Sequence, residues 1–219
     1  MPTVDARTTI GGRVVRADAL DRLTAAGWEA LSAHGVRTII DLREPSERPV
    51  AMSRRPSGVR TVHLPLDIRA DTEFWDVWAN GPHFGTPIYY RPHIVRHPRR
   101  NAEVLRAIAD AGPGAVLFHC QGGRDRTGQI AMLLLALVGV RSEAIAEDYA
   151  LSRERQRALW AAHGQDDQGV SIDSFLASRG TTRQQLILDA LDGLDVRAVL
   201  AGGGLEDEHV ERLRRRLLD

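Results

Sequence analysis

The segment HCQGGRDRTGQ, residues 119–129, holds the only cysteine of a 219-residue chain. A lone cysteine can serve as a small apolar core residue, but its neighbours suggest chemistry. Two glycines follow at 122 and 123, then Arg124, Asp125 and Arg126. Glycines let the backbone curl so that successive N–H groups face inward. A helix starting directly after them adds unpaired N–H groups and the positive end of its dipole. Together these make an anion cradle suited to phosphate or sulfate. Gln121, Gly122, Gly123, Arg124, Asp125 and Arg126 are therefore the candidate phosphate-binding residues. Cys120 lies beneath the ring of donors, in a field of the kind that favours a thiolate. Arg126 returns after five residues with a planar fork matched to two equatorial oxygens of a phosphoryl group. Thr127 is expected to cap the helix and donate its hydroxyl to the sulfur. A nucleophile, a charge clamp and an oxyanion cradle are the parts needed for attack on a phosphate ester.

The elements that must position this loop are legible around it. AVLFH (115–119) predicts a strand running straight into the cysteine, and TGQIAMLLLALVG a helix buried nearly all round. Strand, glycine loop and helix N-terminus place 120–126 at the carboxyl end of a strand, where open α/β sheets bind ligands. RVVRA predicts a weak first strand, VRTIIDL (36–42) a buried one and VRTVHLPL (59–66) a third. LTAAGWEALSAHG predicts a helix capped by Thr24 and ended by Gly35. The stretch 43–58, with three prolines, is expected to be a loop. The stretch 67–100 carries Trp75, Trp78, Phe84, Tyr89 and Tyr90, which imply packing, and is expected to be a lid-like insertion, part helical. NAEVLRAIADAG predicts an amphipathic helix. Residues 142–219 are expected to be mostly helical, at 142–162, about 172–178, 181–192 and the charged C-terminal end. GGG at 202–204 reads as a flexible turn. The fold class predicted is α/β, a mostly parallel central sheet flanked by helices, in a single domain over 1–219.

Cys-x5-Arg followed by Thr-Gly and preceded by His is the signature of the cysteine-dependent protein tyrosine phosphatase superfamily. GGRVVRADAL, TIIDLREPSE, VLFHCQGGRDRTG and GVRSEAIAEDYALS stand in the order seen in the atypical bacterial tyrosine phosphatases, which the chain resembles as far as about residue 155. The resemblance implies a sheet flanked by helices, a helical lid that could also draw on 142–165, and metal-free hydrolysis through a cysteinyl-phosphate with no cofactor. It implies a phosphorylated protein as substrate. Members commonly carry Lys two positions before the arginine; here Arg124 replaces a point charge with a planar fork. A basic residue there followed by Asp resembles loops that accept phosphoinositides as well as phosphotyrosine. Arg124 is either a substrate contact or a solvated residue at the rim. Two aspartates compete as proton donor: Asp125, in the loop as in this family, is ranked first, and Asp67, after HLPL, stands where other tyrosine phosphatases carry a mobile acid loop. Arg43 matches the family's Asp-Leu-Arg and is expected near the pocket with Glu47 or Asp41 as partner. His119 is expected to make supporting hydrogen bonds.

The rival readings come from other classes. A phosphate-recognising binding module with little turnover would usually show a lesion at Cys120 or Arg126, and both are intact. A thiol redox enzyme or arsenate reductase needs a second cysteine. His93 and His97 share an i,i+4 spacing, but Pro92 and Pro98 flank them, and no metal is expected. Formal net charge is zero, so no global field draws the chain to nucleic acid or membrane. All 29 basic residues are arginine. The longest apolar run, Ile130–Val138, is far below the roughly 20 residues of a membrane span. The opening MPTVDARTTIGG lacks the pattern of a signal peptide, and a cytoplasmic protein is expected.

Overall fold

The computed structural model describes residues 1–49, 55–81, 83–162 and 164–219. Positions 50–54 of the expected loop, and Pro82 in the expected insertion, lie outside them. Four strands form one parallel sheet in the order β1 (Val14–Ala17), β4 (Ala115–His119), β2 (Val36–Asp41), β3 (Arg60–His63). The sheet is thus wholly parallel among the described residues. β4 is central, with Leu117 opposite Val15 on one side and Ile39 on the other. Side chains of a strand alternate between faces, and this fixes the two cores. Ala115, Leu117 and Ile39 face a small cluster with Trp28 of α1 (Ala25–Ala33). Val116, Phe118 and Ile40 face the main cluster.

The main cluster is built largely from helices. α5 (Asp125–Leu137) crosses it as the buried helix its composition predicts. α4 (Pro98–Ala109) buries Val104, Leu105 and Ile108, and starts three residues before its apolar pattern because Pro98 suits a first helical position. α2 (Thr72–Trp78) and α3 (Tyr90–Arg96) occupy the aromatic-rich insertion. Phe74, Trp75, Tyr89, Tyr90 and Ile94 of that segment belong to the main core. Much of the expected lid is therefore core wall. α6 (Ser142–Ala162), α7 (Gly169–Ser178), α8 (Arg183–Leu191), α9 (Val196–Gly202) and α10 (Asp207–Leu218) complete the helical part. Among the described residues no helix is long and apolar enough to cross a membrane.

Three local expectations change. β3 ends at His63 rather than Leu66, because Pro65 has no N–H for the ladder. The chain still follows β2, with Leu64 N–H donating to Asp41 O at 2.9 Å and Leu66 N–H to Leu42 O at 3.1 Å. That path delivers Asp67 beside the sheet's carboxyl edge. α9 is an added helix whose end takes up the GGG run. Residues 203–204 do form the expected turn, but a Cβ at Gly203 would collide with the Pro98 carbonyl, so the turn is packed against α4.

Candidate active site

Cys120 follows β4 directly, is 2% exposed, and lies at the floor of a cavity of about 880 Å³. The loop after it bends at Gly123, whose φ is +63°. A Cβ there would also sit 2.8 Å from Asp18 N and 2.9 Å from Ala17 O, so only glycine lets the loop lean on the end of β1. Ala19 N–H donates to Gln121 O at 3.1 Å and ties the loop to the same strand end. Among the described residues, the N–H groups of Gln121 to Arg124 donate to no backbone carbonyl. The first turn of α5 follows directly, so these donors stand at a helix N-terminus.

Arg126 lines the same cavity. Its guanidinium is held by Glu47, with Nη1 donating to Oε2 and Nη2 to Oε1 at 2.6 Å. Asp67 Oδ2 is 3.6 Å from Arg126 Nη1. Burial opposes ionisation of Glu47, but the hydrogen bonds and charge of Arg126 outweigh it and hold the carboxyl below its ordinary range. For Asp67 the balance is reversed. Its burial pushes the carboxyl up, against the opposing charges of Arg126 and Arg69.

Arg124 is not a solvated rim residue. Its Nε and Nη2 bind the Asp125 carboxylate at 3.0–3.2 Å, and Nη1 donates to Gln156 Oε1 at 3.1 Å. Gln156 Nε2 in turn donates to Gly122 O at 3.0 Å. This glutamine, on α6, braces the loop from outside. The sequence reading missed it because a glutamine in a charged helix carries no local signal. Asp125, in the first turn of α5, also lines the cavity.

Arg43 is 1% exposed and pairs with Asp41, Nη2 to Oδ2 at 2.9 Å, and with Asp21, Nη1 to Oδ2 at 2.5 Å. Its partner of the two expected is thus Asp41, while Glu47 belongs to Arg126. Arg43 Nη1 also reaches Gln121 Oε1 at 3.4 Å, linking the buried ion cluster to the loop. His119 is fully buried, with Nδ1 3.1 Å from Cys120 O and Nε2 3.8 Å from Asp41 Oδ2. Burial, partly offset by Asp41, lowers its pKa.

Thr127 departs from expectation. It is the third residue of α5, whose N-cap position is Arg124, and its buried hydroxyl has no hydrogen-bond partner among the described residues. The N-cap position lies three residues earlier than the expected cap at Thr127, because the loop turns tightly at Gly123. His93 Nδ1 lies 2.9 Å from Gln129 Nε2, which also donates to Asn101 Oδ1 at 2.7 Å. These histidines are packed against Phe74 in the core. Among the described residues no three His, Cys, Asp or Glu side chains gather as a metal set.

A parallel sheet that feeds a cysteine into a glycine-bent loop closing on a helix N-terminus defines an α/β protein with a cysteine at the floor of its main cavity. Comparison with known proteins sharpens that class. The whole chain, residues 1–219, matches the model of the tyrosine phosphatase family, and the protein belongs to that family. It is 36% identical over 148 residues to a tyrosine-protein phosphatase of Nostoc commune, covering 63% of this chain and 47% of that protein. A Cupriavidus necator protein with a provisional tyrosine-protein phosphatase name is 30% identical, covering 91% of this chain and 76% of its own. The triple specificity protein phosphatase PtpB of Mycobacterium tuberculosis is 30% identical over 65% of this chain and 62% of its length. The chain thus spans about half the length of the Nostoc protein.

Proposed function

We propose that this protein hydrolyses phosphate monoesters, phosphotyrosine first, through a cysteinyl-phosphate on Cys120. The observation that carries the reading is the placement of buried Cys120 and the Arg126 guanidinium on one cavity, with the free loop amides between them. The thiolate of Cys120 attacks phosphorus, the P–O bond to the alcohol or phenol breaks, and the leaving oxygen takes a proton. Arg126 and the loop amides hold the equatorial oxygens as charge develops. Water then attacks phosphorus, the S–P bond breaks, and phosphate leaves with the thiolate restored. No metal or cofactor is required for either step.

Asp125 is the proposed proton donor, since it precedes Arg126 in the loop and faces the cavity. A second reading is carried by a specific observation on Asp67. Its carboxyl is buried beside Arg126, and burial moves its pKa upward, the direction a proton donor needs. Phosphoserine, phosphothreonine and phosphoinositides are further candidate substrates, supported by the triple specificity named for the mycobacterial relative and by the basic residue Arg124 before Asp125.

The test is hydrolysis of a generic aryl phosphate in chelator, with and without vanadate. Turnover that survives chelation and stops with vanadate is expected. Vanadate binding without turnover would turn the reading into a phosphate-recognising module. A side-by-side panel of phosphopeptides and phosphoinositides then orders the substrates.

A further inference from the structure

Asp67, Ile68 and Arg69 make a turn at the cavity wall with an unfavourable backbone. Ile68 has φ of +45°. For a β-branched side chain that is a genuine outlier, because its Cβ branches crowd the neighbouring carbonyls. Such a conformation persists only where its surroundings over-determine it. The surroundings here are specific. Trp75, one turn into α2, donates its indole N–H to Asp67 O at 2.6 Å, with Ile68 O at 3.3 Å. Asp71 N–H also donates to Ile68 O at 2.9 Å. Trp75 is itself fixed, buried and in edge contact with Phe74 and Tyr89.

The turn's two flanking side chains both face the phosphoryl site. Asp67 Oδ2 lies 3.6 Å from Arg126 Nη1 and 3.1 Å from Arg69 Nη2. The Arg69 guanidinium rests 4.5 Å over the same Trp75 ring, and it lines the cavity. One indole therefore supplies two contacts. Its N–H holds the backbone that aims Asp67, and its face seats the arginine paired with that carboxylate.

We infer that Trp75 is a positioning residue for phosphoryl transfer: its indole N–H pins the Asp67–Ile68–Arg69 turn and so fixes the carboxylate beside Arg126. The inference rests on the reading of Cys120 and Arg126 as the reacting site. It holds whether Asp67 donates the proton or orients Arg126. If the N–H is lost, the turn relaxes towards negative φ and Asp67 leaves its place. A glycine at 68 adopts the positive φ without the branched-chain penalty, so it needs no pin.

The experiment compares Trp75→Phe, Ile68→Gly, the double variant and Ile68→Pro. kcat/KM for an aryl phosphate is measured, with vanadate affinity by calorimetry and Tm as controls. Phenylalanine keeps an aromatic face for Arg69 and removes the donor together with part of the buried ring, a packing loss that Tm reports and that glycine at 68 would not rescue. Trp75→Phe is expected to lose at least about tenfold in kcat/KM, and Ile68→Gly to stay within about threefold of wild type. The double variant is expected to recover to within about threefold of Ile68→Gly alone. A purely structural role of Trp75 in the core would show no such rescue. Trp75→Phe activity within twofold of wild type, or a loss that glycine does not rescue, overturns the inference. Should Trp75→Phe fail to fold, Ile68→Pro decides, since proline holds φ near −65°. A tenfold loss there beside an active Ile68→Gly supports the pinned turn, and full activity overturns it. A wild-type protein that neither turns over the ester nor binds vanadate overturns the phosphatase reading itself.

Discussion

Glu47 grips Arg126 with both carboxylate oxygens across 79 positions of sequence. The guanidinium proposed to clamp a phosphoryl group is thereby held in one orientation. Glu47 is anchored in turn, since its Oε2 accepts from Glu44 N–H at 2.8 Å.

Glu47→Gln is expected to lower kcat/KM by about tenfold, or about 1.4 kcal/mol of transition-state stabilisation. A neutral amide cannot match both guanidinium N–H groups. Steady-state kinetics on an aryl phosphate checks this, and an unchanged kcat/KM would show that Arg126 is oriented without Glu47. The charge also matters for folding. Glu47 has a lowered carboxyl pKa, so its contribution to stability is present above the unfolded value near 4.5 and fades as pH falls through the folded one.

Cys120→Ser should abolish turnover while leaving vanadate or phosphate binding, because a serine hydroxyl stays protonated but the amide cradle is untouched. Activity above about one per cent of wild type would rule out the cysteinyl-phosphate route. Arg126→Lys should cost at least about 100-fold, since a point charge cannot clamp two oxygens at once. Calorimetry with vanadate separates lost chemistry from lost binding.

The two aspartates are distinguished by leaving group. If Asp125 donates the proton, Asp125→Asn slows esters of poor leaving groups far more than those of good ones, since a stable anion needs no proton. Asp67→Asn then acts mildly and evenly across the series. The reverse pattern assigns the proton to Asp67. Vanadate affinity is the control, because cradle damage weakens it and loss of an acid does not.

His93 predicts a pH effect on stability remote from catalysis. It is 1% exposed, and burial, with His97 nearby, pushes its pKa down to about 3. An unfolded histidine titrates near about 6.5. Above that pH both states are neutral and the group contributes no pH dependence. As pH falls from about 6.5 towards 3, the unfolded chain takes a proton that the folded one refuses. Stability therefore falls, by up to about 1.4 kcal/mol per pH unit. His93→Gln should flatten that slope in urea titrations between pH 6.5 and 4. Parallel curves for the two proteins would refute the assignment.

The reacting core was legible because its parts are local. Cys120, Gly122, Gly123 and Arg126 lie within one strand–loop–helix, and short-range geometry alone brings them together. β4 and α6 appear over the residues predicted, 115–119 and 142–162, because their composition leaves little competition. Boundaries moved where a proline intervened, at β3 and α4. Thr127 was misplaced because the position of a cap depends on how sharply the preceding loop turns. Asp67, Asp125 and Arg43 were each named from sequence, but their partners were not all foreseen.

The sequence by itself determined the α/β frame and the local segment in which Cys120, the paired glycines and Arg126 stand together. Tertiary structure decided which of its two candidate carboxylates Arg43 takes and which carboxylate holds Arg126. With all 29 cations being arginine, residue type cannot distinguish the pair Glu47–Arg126 from Asp41–Arg43 or Asp125–Arg124. The Asp41–Arg43 and Asp125–Arg124 pairs are neighbours in sequence, but Glu47 meets Arg126 across 79 positions, and only folding brings those two together. The same holds for Gln156 bracing Gly122 from α6 and for the Trp75 indole at Asp67. Each becomes a partner only when the sheet and its helices have packed and excluded the water that would otherwise compete for those bonds.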